Sequence, residues 1–117
     1  MNHPAPALAD DALAARLGAL AHPTRLAILR HIARNGACCC KDVVQRMDLA
    51  QSTVSQHLRV LVDAGLVDYR PERQRSRYTV DATELERLSQ ALGDCLAQCR
   101  EDTAVGGTTE ERNCRSG

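Results

Sequence analysis

Apolar residues recur along most of this chain at steps of three and four, the period of an α-helix with one buried face. Leu13, Leu17 and Leu20 set that step first and predict a helix over Leu8 to Ala21. Leu26, Ile28, Leu29 and Ile32 predict a second. It opens at His22-Pro23-Thr24, where the missing proline N–H costs nothing, and stops at Asn35-Gly36. A short third helix is expected over Lys41 to Met47, then a turn at Asp48-Leu49-Ala50, then a fourth helix over Gln51 to Ala64 closed by Gly65. The period changes after that. Leu66 to Arg70 and Arg77 to Val80 are short strand candidates, and Pro71 to Ser76 is the polar tip of a hairpin. Asp81 and Glu84 have the spacing of a capping box for a last helix, along which Leu85, Leu88, Leu92, Cys95 and Cys99 recur at helical steps. The fold class expected is mostly α with one small β-hairpin. Residues 1–7 hold two prolines and read as a flexible arm, 8–102 as one folded domain, and 103–117, rich in Gly, Thr and charge, as a disordered tail.

Composition changes the picture in two ways. The chain has 117 residues, 44% of them hydrophobic, with no Phe, no Trp and two Tyr. The core must therefore be Leu, Val, Ile and Ala, and so small a helical domain gains from a partner. Net charge is zero, yet it is unevenly spread. Residues 51–80 carry Arg59, Arg70, Arg73, Arg75 and Arg77 against Asp63, Asp68 and Glu72, whereas from 81 onward eight acids face four Arg. A local basic excess of this kind can serve as a nucleic-acid footprint in a neutral protein. No apolar run is long enough to span a membrane, and the N-terminus has neither the basic nor the apolar region of a signal peptide. The expected compartment is the cytoplasm, where six Cys are better suited to ligation or redox chemistry than to structural disulfides.

Two short helices joined by a tight turn, the second fronted by polar residues, describe a helix-turn-helix. Val54, Leu58 and Leu61 form the side of the fourth helix that can be buried. Gln51, Ser52, Thr53, Ser55, Gln56, His57 and Arg59 supply the side chains for base edges and phosphates of double-stranded DNA. Arg73, Arg75 and Arg77 would make the hairpin a wing on the adjacent backbone or minor groove. The plain alternative is a solvated amphipathic helix followed by a charged turn; the ordered set of helix, turn, polar helix and basic hairpin weighs against it.

With these motifs the chain resembles the ArsR/SmtB winged-helix repressors over about residues 10–100. The residues that carry the likeness are Leu20-Ala21-His22-Pro23-Thr24-Arg25-Leu26, then Gln51-Ser52-Thr53-Val54-Ser55-Gln56-His57-Leu58, then Leu61, Ala64-Gly65-Leu66-Val67 and Arg77-Tyr78. The resemblance implies a winged helix-turn-helix. It also implies a homodimer joined through the first and last helices, which reads an inverted repeat and leaves it when an inducer binds.

Two thiol groups are candidates for the inducer: Cys38, Cys39 and Cys40 before the third helix, and Cys95 with Cys99 one helical turn apart on the last. Each has a packing alternative, since free Cys is a common small core residue. In arsenic- and cadmium-type members of the family a Cys-x-Cys-Asp-Leu-Cys pattern opens the third helix. Sliding this chain onto it by Gly36, Asp42, Gln51 and His57 puts Cys39 at the first ligand position but Lys41 and Val44 at the others, so any site here is built differently. Cys114 in the tail is a possible mobile ligand. Thiol-rich surroundings suit arsenite or antimonite, which want three thiolates, ahead of zinc, which would recruit His or carboxylates; cadmium, lead and mercury also fit. The His residues are poorly placed for zinc. A persulfide or redox sensor of the same fold is the rival, although its relatives use a Cys in helix two where this chain has Arg30. No cofactor is expected for folding. An enzyme is the reading from another class: Cys40 and Arg46 have the Cys-x5-Arg spacing of small phosphatases and arsenate reductases, but Lys41-Asp42-Val43-Val44-Gln45 lacks the Gly or Ser a phosphate-cradling loop needs. No catalytic residue is expected. A winged helix with no inducer, its cysteines incidental, is the third possibility.

Overall fold

A computed structural model of the chain describes residues 7–73 and 75–106. The elements are α1 (Asp10–Leu20), α2 (Pro23–Asn35), α3 (Cys40–Met47), α4 (Gln51–Asp63), β1 (Val67–Glu72), β2 (Arg75–Val80) and α5 (Ala82–Gly106). The order and type of every element match the expectation from periodicity; the boundaries moved where capping or pairing decided them.

The cap of α2 is His22, whose Nδ1 accepts the Thr24 N–H at 3.1 Å, with Pro23 as the first helical residue and Gly36 (φ 78°) just past the end. Helix α3 opens one residue earlier than expected because Cys39 caps it: the Cys39 N–H donates to the Asp42 carboxylate at 3.2 Å and the Cys39 side chain accepts in return. Asp48, left-handed at φ 56°, ends it. At the end of α4 the Leu66 N–H reaches the Leu61 carbonyl at 3.1 Å and the Gly65 N–H the Val62 carbonyl at 2.9 Å. This is a Schellman turn, and it needs the positive φ of 83° that Gly65 supplies.

The two strands pair antiparallel, Val67 with Val80, Tyr69 with Tyr78, Arg70 with Arg77 and Glu72 with Arg75. The hairpin is longer than expected, since Pro71, Glu72, Arg75 and Ser76 are strand rather than tip. Proline is tolerated there because each strand of a two-stranded ribbon is an edge. Cys38 adds a further pairing, its N–H donating to the Tyr78 carbonyl at 3.0 Å and its carbonyl accepting the Tyr78 N–H at 2.7 Å.

Helix α5 opens where expected, with the Asp81 carboxylate accepting the Glu84 N–H at 3.1 Å. It runs on past Thr103, whose hydroxyl donates to the Cys99 carbonyl at 2.8 Å, so the tail expected from 103 begins no earlier than 107. The rest of that tail, with Cys114, and residues 1–6 of the arm lie outside the described residues.

The core gathers Leu13, Ala19, Ile28, Ile32, Val43, Val54, Leu58, Leu61, Leu66, Val67 and Leu88, aliphatic as the composition required, with the Cys38 thiol among them. Arg16 fastens its edge: Nε donates to the Ala64 carbonyl at 3.0 Å and Nη1 to Glu84 at 2.6 Å, which joins α1, α4 and α5. Among the described residues no helix is long and apolar enough to cross a membrane.

Candidate nucleic-acid interface and thiol groups

Helix α4 is two-sided. Val54, Leu58 and Leu61 are fully buried, while Ser52, Ser55, Gln56 and Arg59 are exposed. Those four lie at steps of three and four, one stripe along the outer face. Gln51, also exposed, begins the helix, and Thr53 is half-buried beside the stripe. His57 turns the other way. Its ring lies 4.7 Å from that of His22, and its Nδ1 is 3.3 Å from the Arg25 guanidinium, which also donates to the Ala19 carbonyl. Partial burial, with His22 and Arg25 alongside, pushes the His57 pKa down, so its ring stays neutral at ordinary pH. The structure thus brings Gln51, Ser52, Ser55, Gln56 and Arg59 together on the open side and sets His57 against α2.

The hairpin projects beside this stripe. Arg73 is exposed at its tip. Arg75 lies in β2 opposite Glu72. Arg77 is held by Glu72 at 3.2 Å in an exposed ion pair and stands directly across from Arg70. Two like charges face to face on a ribbon repel, and the Glu72 carboxylate offsets part of that at Arg77. Arg70 was not among the interface residues expected. Tyr69 and Tyr78 were also missed: they pair across the other face of the ribbon with ring centroids 5.2 Å apart. With Ser55, Arg59, Val62 and Asp63 they line a cleft of about 420 Å³ between α4 and the wing. The signal was present in the register, because the only two Tyr of the chain fall on one face of adjacent strands.

The three adjacent cysteines diverge. Cys38 and Cys39 are buried, at 4% and 9% exposure. Burial, with the Asp42 carboxylate and Cys39 nearby, pushes the Cys38 thiol pKa up. Cys40 is half-buried at the start of α3, and its Sγ lies 3.6 Å from Ser55 Oγ on the exposed stripe. Cys95 and Cys99 are both exposed on α5, one helical turn apart; Cys99, ahead of slight burial and Asp10, raises the Cys95 pKa. Among the described residues no three His, Cys, Asp or Glu side chains stand close enough to hold one metal ion. The run at 38–40 and the pair at 95 and 99 are separate groups. Arg46 lies in the last turn of α3, so Cys40 to Arg46 is helix and not a phosphate-cradling loop.

The sequence matches a helix-turn-helix domain family, HTH_20, over residues 20–70. It is 41% identical over 54 residues to an uncharacterized HTH-type transcriptional regulator of Methanocaldococcus jannaschii, a match that takes in 46% of this chain and 61% of that one, less than two thirds of its length. It is 37% identical over 92 residues to a "probable mercury resistance operon repressor" of Streptomyces lividans, covering 79% of this chain and 72% of that one. It is 31% identical over 70 residues to an arsenical resistance operon repressor of Bacillus subtilis, covering 60% and 67%. Among solved structures, a "possible transcriptional regulator for arsenical resistance" has a TM-score of 0.64 at 32% identity, covering 81% of this chain and 97% of that one. An ArsR-like transcriptional regulator from Rhodococcus sp. RHA1 has a TM-score of 0.71 at 24% identity, covering 87% and 96%, a likeness of fold.

Proposed function

The chain belongs to the ArsR/SmtB family of winged-helix DNA-binding transcriptional repressors, and from that premise we propose that it is a cytoplasmic homodimer that holds an inverted-repeat operator until a thiophilic metalloid or metal binds its cysteines. It is a transcriptional regulator, not an enzyme. The observation that carries the inducer reading is the pair Cys95 and Cys99: both exposed and one helical turn apart on α5, with each sulfur free.

Arsenite is our first choice of inducer, with antimonite beside it. Arsenite in water is As(OH)₃. Two thiols replace two of its hydroxyls, forming two As–S bonds and releasing two waters, with no change of oxidation state. Bonding both sulfurs to one centre removes the mutual repulsion that raises the Cys95 pKa. Mercuric ion is the second reading, since it needs only two sulfurs where arsenite keeps one hydroxyl on a two-thiol site, and a relative named for mercury resistance supports testing it. Release of DNA needs a coupling of only about 1–3 kcal/mol, a 5–150-fold loss of affinity. The thiol pair is on α5, so that coupling would pass through the contact of α5 with α1 and a partner chain to α4.

The test is fluorescence anisotropy of labelled promoter DNA with the reduced protein, titrated separately with arsenite, antimonite, mercuric, cadmium and zinc ions and an inorganic polysulfide. Near-stoichiometric release by arsenite, abolished in Cys95→Ser/Cys99→Ser with DNA affinity otherwise kept, is the expected result. Arsenite release that survives the double substitution removes the α5 pair as the site. Release by polysulfide alone makes this a persulfide switch.

A further inference from the structure

The cleft between α4 and the wing has no role in the stripe-and-tip picture of DNA contact. We propose that it seats the sugar–phosphate backbone of one DNA strand, with Arg59 and Ser55 on one wall and the hydroxyls of Tyr69 and Tyr78 on the other. The inference rests on the DNA-binding reading above and assigns two tyrosines to it.

Four observations support the assignment. The cleft has a volume of about 420 Å³, room for a backbone unit, and it opens beside the exposed stripe of α4. Its α4 wall carries the Arg59 guanidinium and the Ser55 hydroxyl and its wing wall the two tyrosines, groups that grip phosphate without reading bases. Tyr69 is 45% exposed, and its hydroxyl oxygen accepts a hydrogen bond from Ser76 Oγ at 3.2 Å. That bond leaves the tyrosine's own O–H proton free to donate, and a phosphate oxygen is the acceptor it suits. Tyr78 is held at a fixed depth, because its main chain is bonded in both directions to buried Cys38, at 2.7 and 3.0 Å. Burial, with Cys40 and Tyr69 nearby, keeps its phenol protonated and therefore a donor. Asp63 at one end of the cleft repels phosphate, so the strand is confined to the end nearer Ser55. Cys40, 3.6 Å from Ser55 Oγ, stands beside that end.

The chain offers a direct reporter. It has no Trp and only these two Tyr, so its intrinsic tyrosine emission comes from the proposed wall alone. In the reduced protein, saturating promoter DNA should change that emission. Tyr69→Phe should weaken binding about 3–10-fold, equally for specific and nonspecific duplex, while leaving the slope of log affinity against log salt unchanged, because a neutral donor releases no counterion. Arg59→Ala should reduce the slope by about one. Bound DNA should also slow alkylation of Cys40 by N-ethylmaleimide, mapped by mass spectrometry, and leave Cys95 and Cys99 unprotected. Tight DNA binding with unchanged tyrosine emission, unaltered affinity in Tyr69→Phe and no protection of Cys40 would overturn the assignment alone. Absence of any DNA binding by the folded wild type would overturn the functional reading beneath it.

Discussion

Two glycines show how a single residue's cost depends on what surrounds it. Gly36 and Gly65 both follow a helix with positive φ, 78° and 83°. Around Gly36 an added Cβ meets nothing within 4 Å, whereas at Gly65 it comes 3.1 Å from the Arg16 guanidinium. An alanine at either position bears the strain of a positive φ, about 1–3 kcal/mol. At Gly65 it must also displace Arg16, which holds the Ala64 carbonyl and Glu84. Gly65→Ala should therefore destabilise more than Gly36→Ala, by roughly a further 1 kcal/mol, about the net worth of one hydrogen bond. Urea unfolding of the two variants measures the difference; equal losses would mean that Arg16 swings aside freely. Cysteine carries a related lesson. The three side chains of the run have identical chemistry, yet one is a buried strand partner, one a helix cap and one a neighbour of the DNA-facing stripe.

At the scale of elements, the tie between α1 and α5 is electrostatic and so depends on pH. Hydrogen bonds from Arg87 and Arg16 hold the Glu84 carboxyl below its ordinary range. A group whose folded pKa is depressed adds stability above its unfolded pKa, near 4.3 for Glu, and loses it as pH falls through the folded value. Stability of the wild type should therefore drop in that acid window. Glu84→Gln should be less stable at pH 7 and fall less steeply, so that the two curves converge once pH drops below the depressed folded value. Parallel curves would show that the pairs add nothing specific. Glu84 itself was legible in the sequence as a capping residue of α5 but not as the partner of Arg16, which lies 68 positions away. The same limit runs through the fold. All five helices could be read because each buries a stripe with its own period and most carry visible stop signals. The hairpin was read too short because pairing across the ribbon, not local preference, keeps Pro71 and Ser76 extended. In the candidate interface, the open stripe of α4 was readable from the placement of Val54, Leu58 and Leu61. The inward turn of His57 was not, since it depends on His22 and Arg25 of another helix.

The molecule is more extended than a compact domain of its length. Its radius of gyration is 18.3 Å, against about 13 Å for a compact chain of this length. Helix α5, with 25 residues, spans about 37 Å at the usual rise. Leu96 on that helix is 51% exposed, while Ala91 and Leu92 a turn earlier are only partly covered by the core. A second copy of the chain, laid along the same face, would bury these side chains and bring two α4 stripes into one particle, which is what an inverted repeat requires. Light scattering of the reduced protein should therefore give twice the 12.8 kDa chain mass. Leu96→Asp, by placing a charge in the seam, should shift the protein toward monomer at micromolar concentration with its helical circular dichroism kept. If both half-sites must be held together, that variant should lose more than tenfold in affinity for the full operator yet bind an isolated half-site as the wild type does. A Leu96→Asp protein that stays dimeric places the seam elsewhere. A monomeric variant that keeps full operator affinity shows that one recognition helix suffices, and induction would then have to act within a single chain.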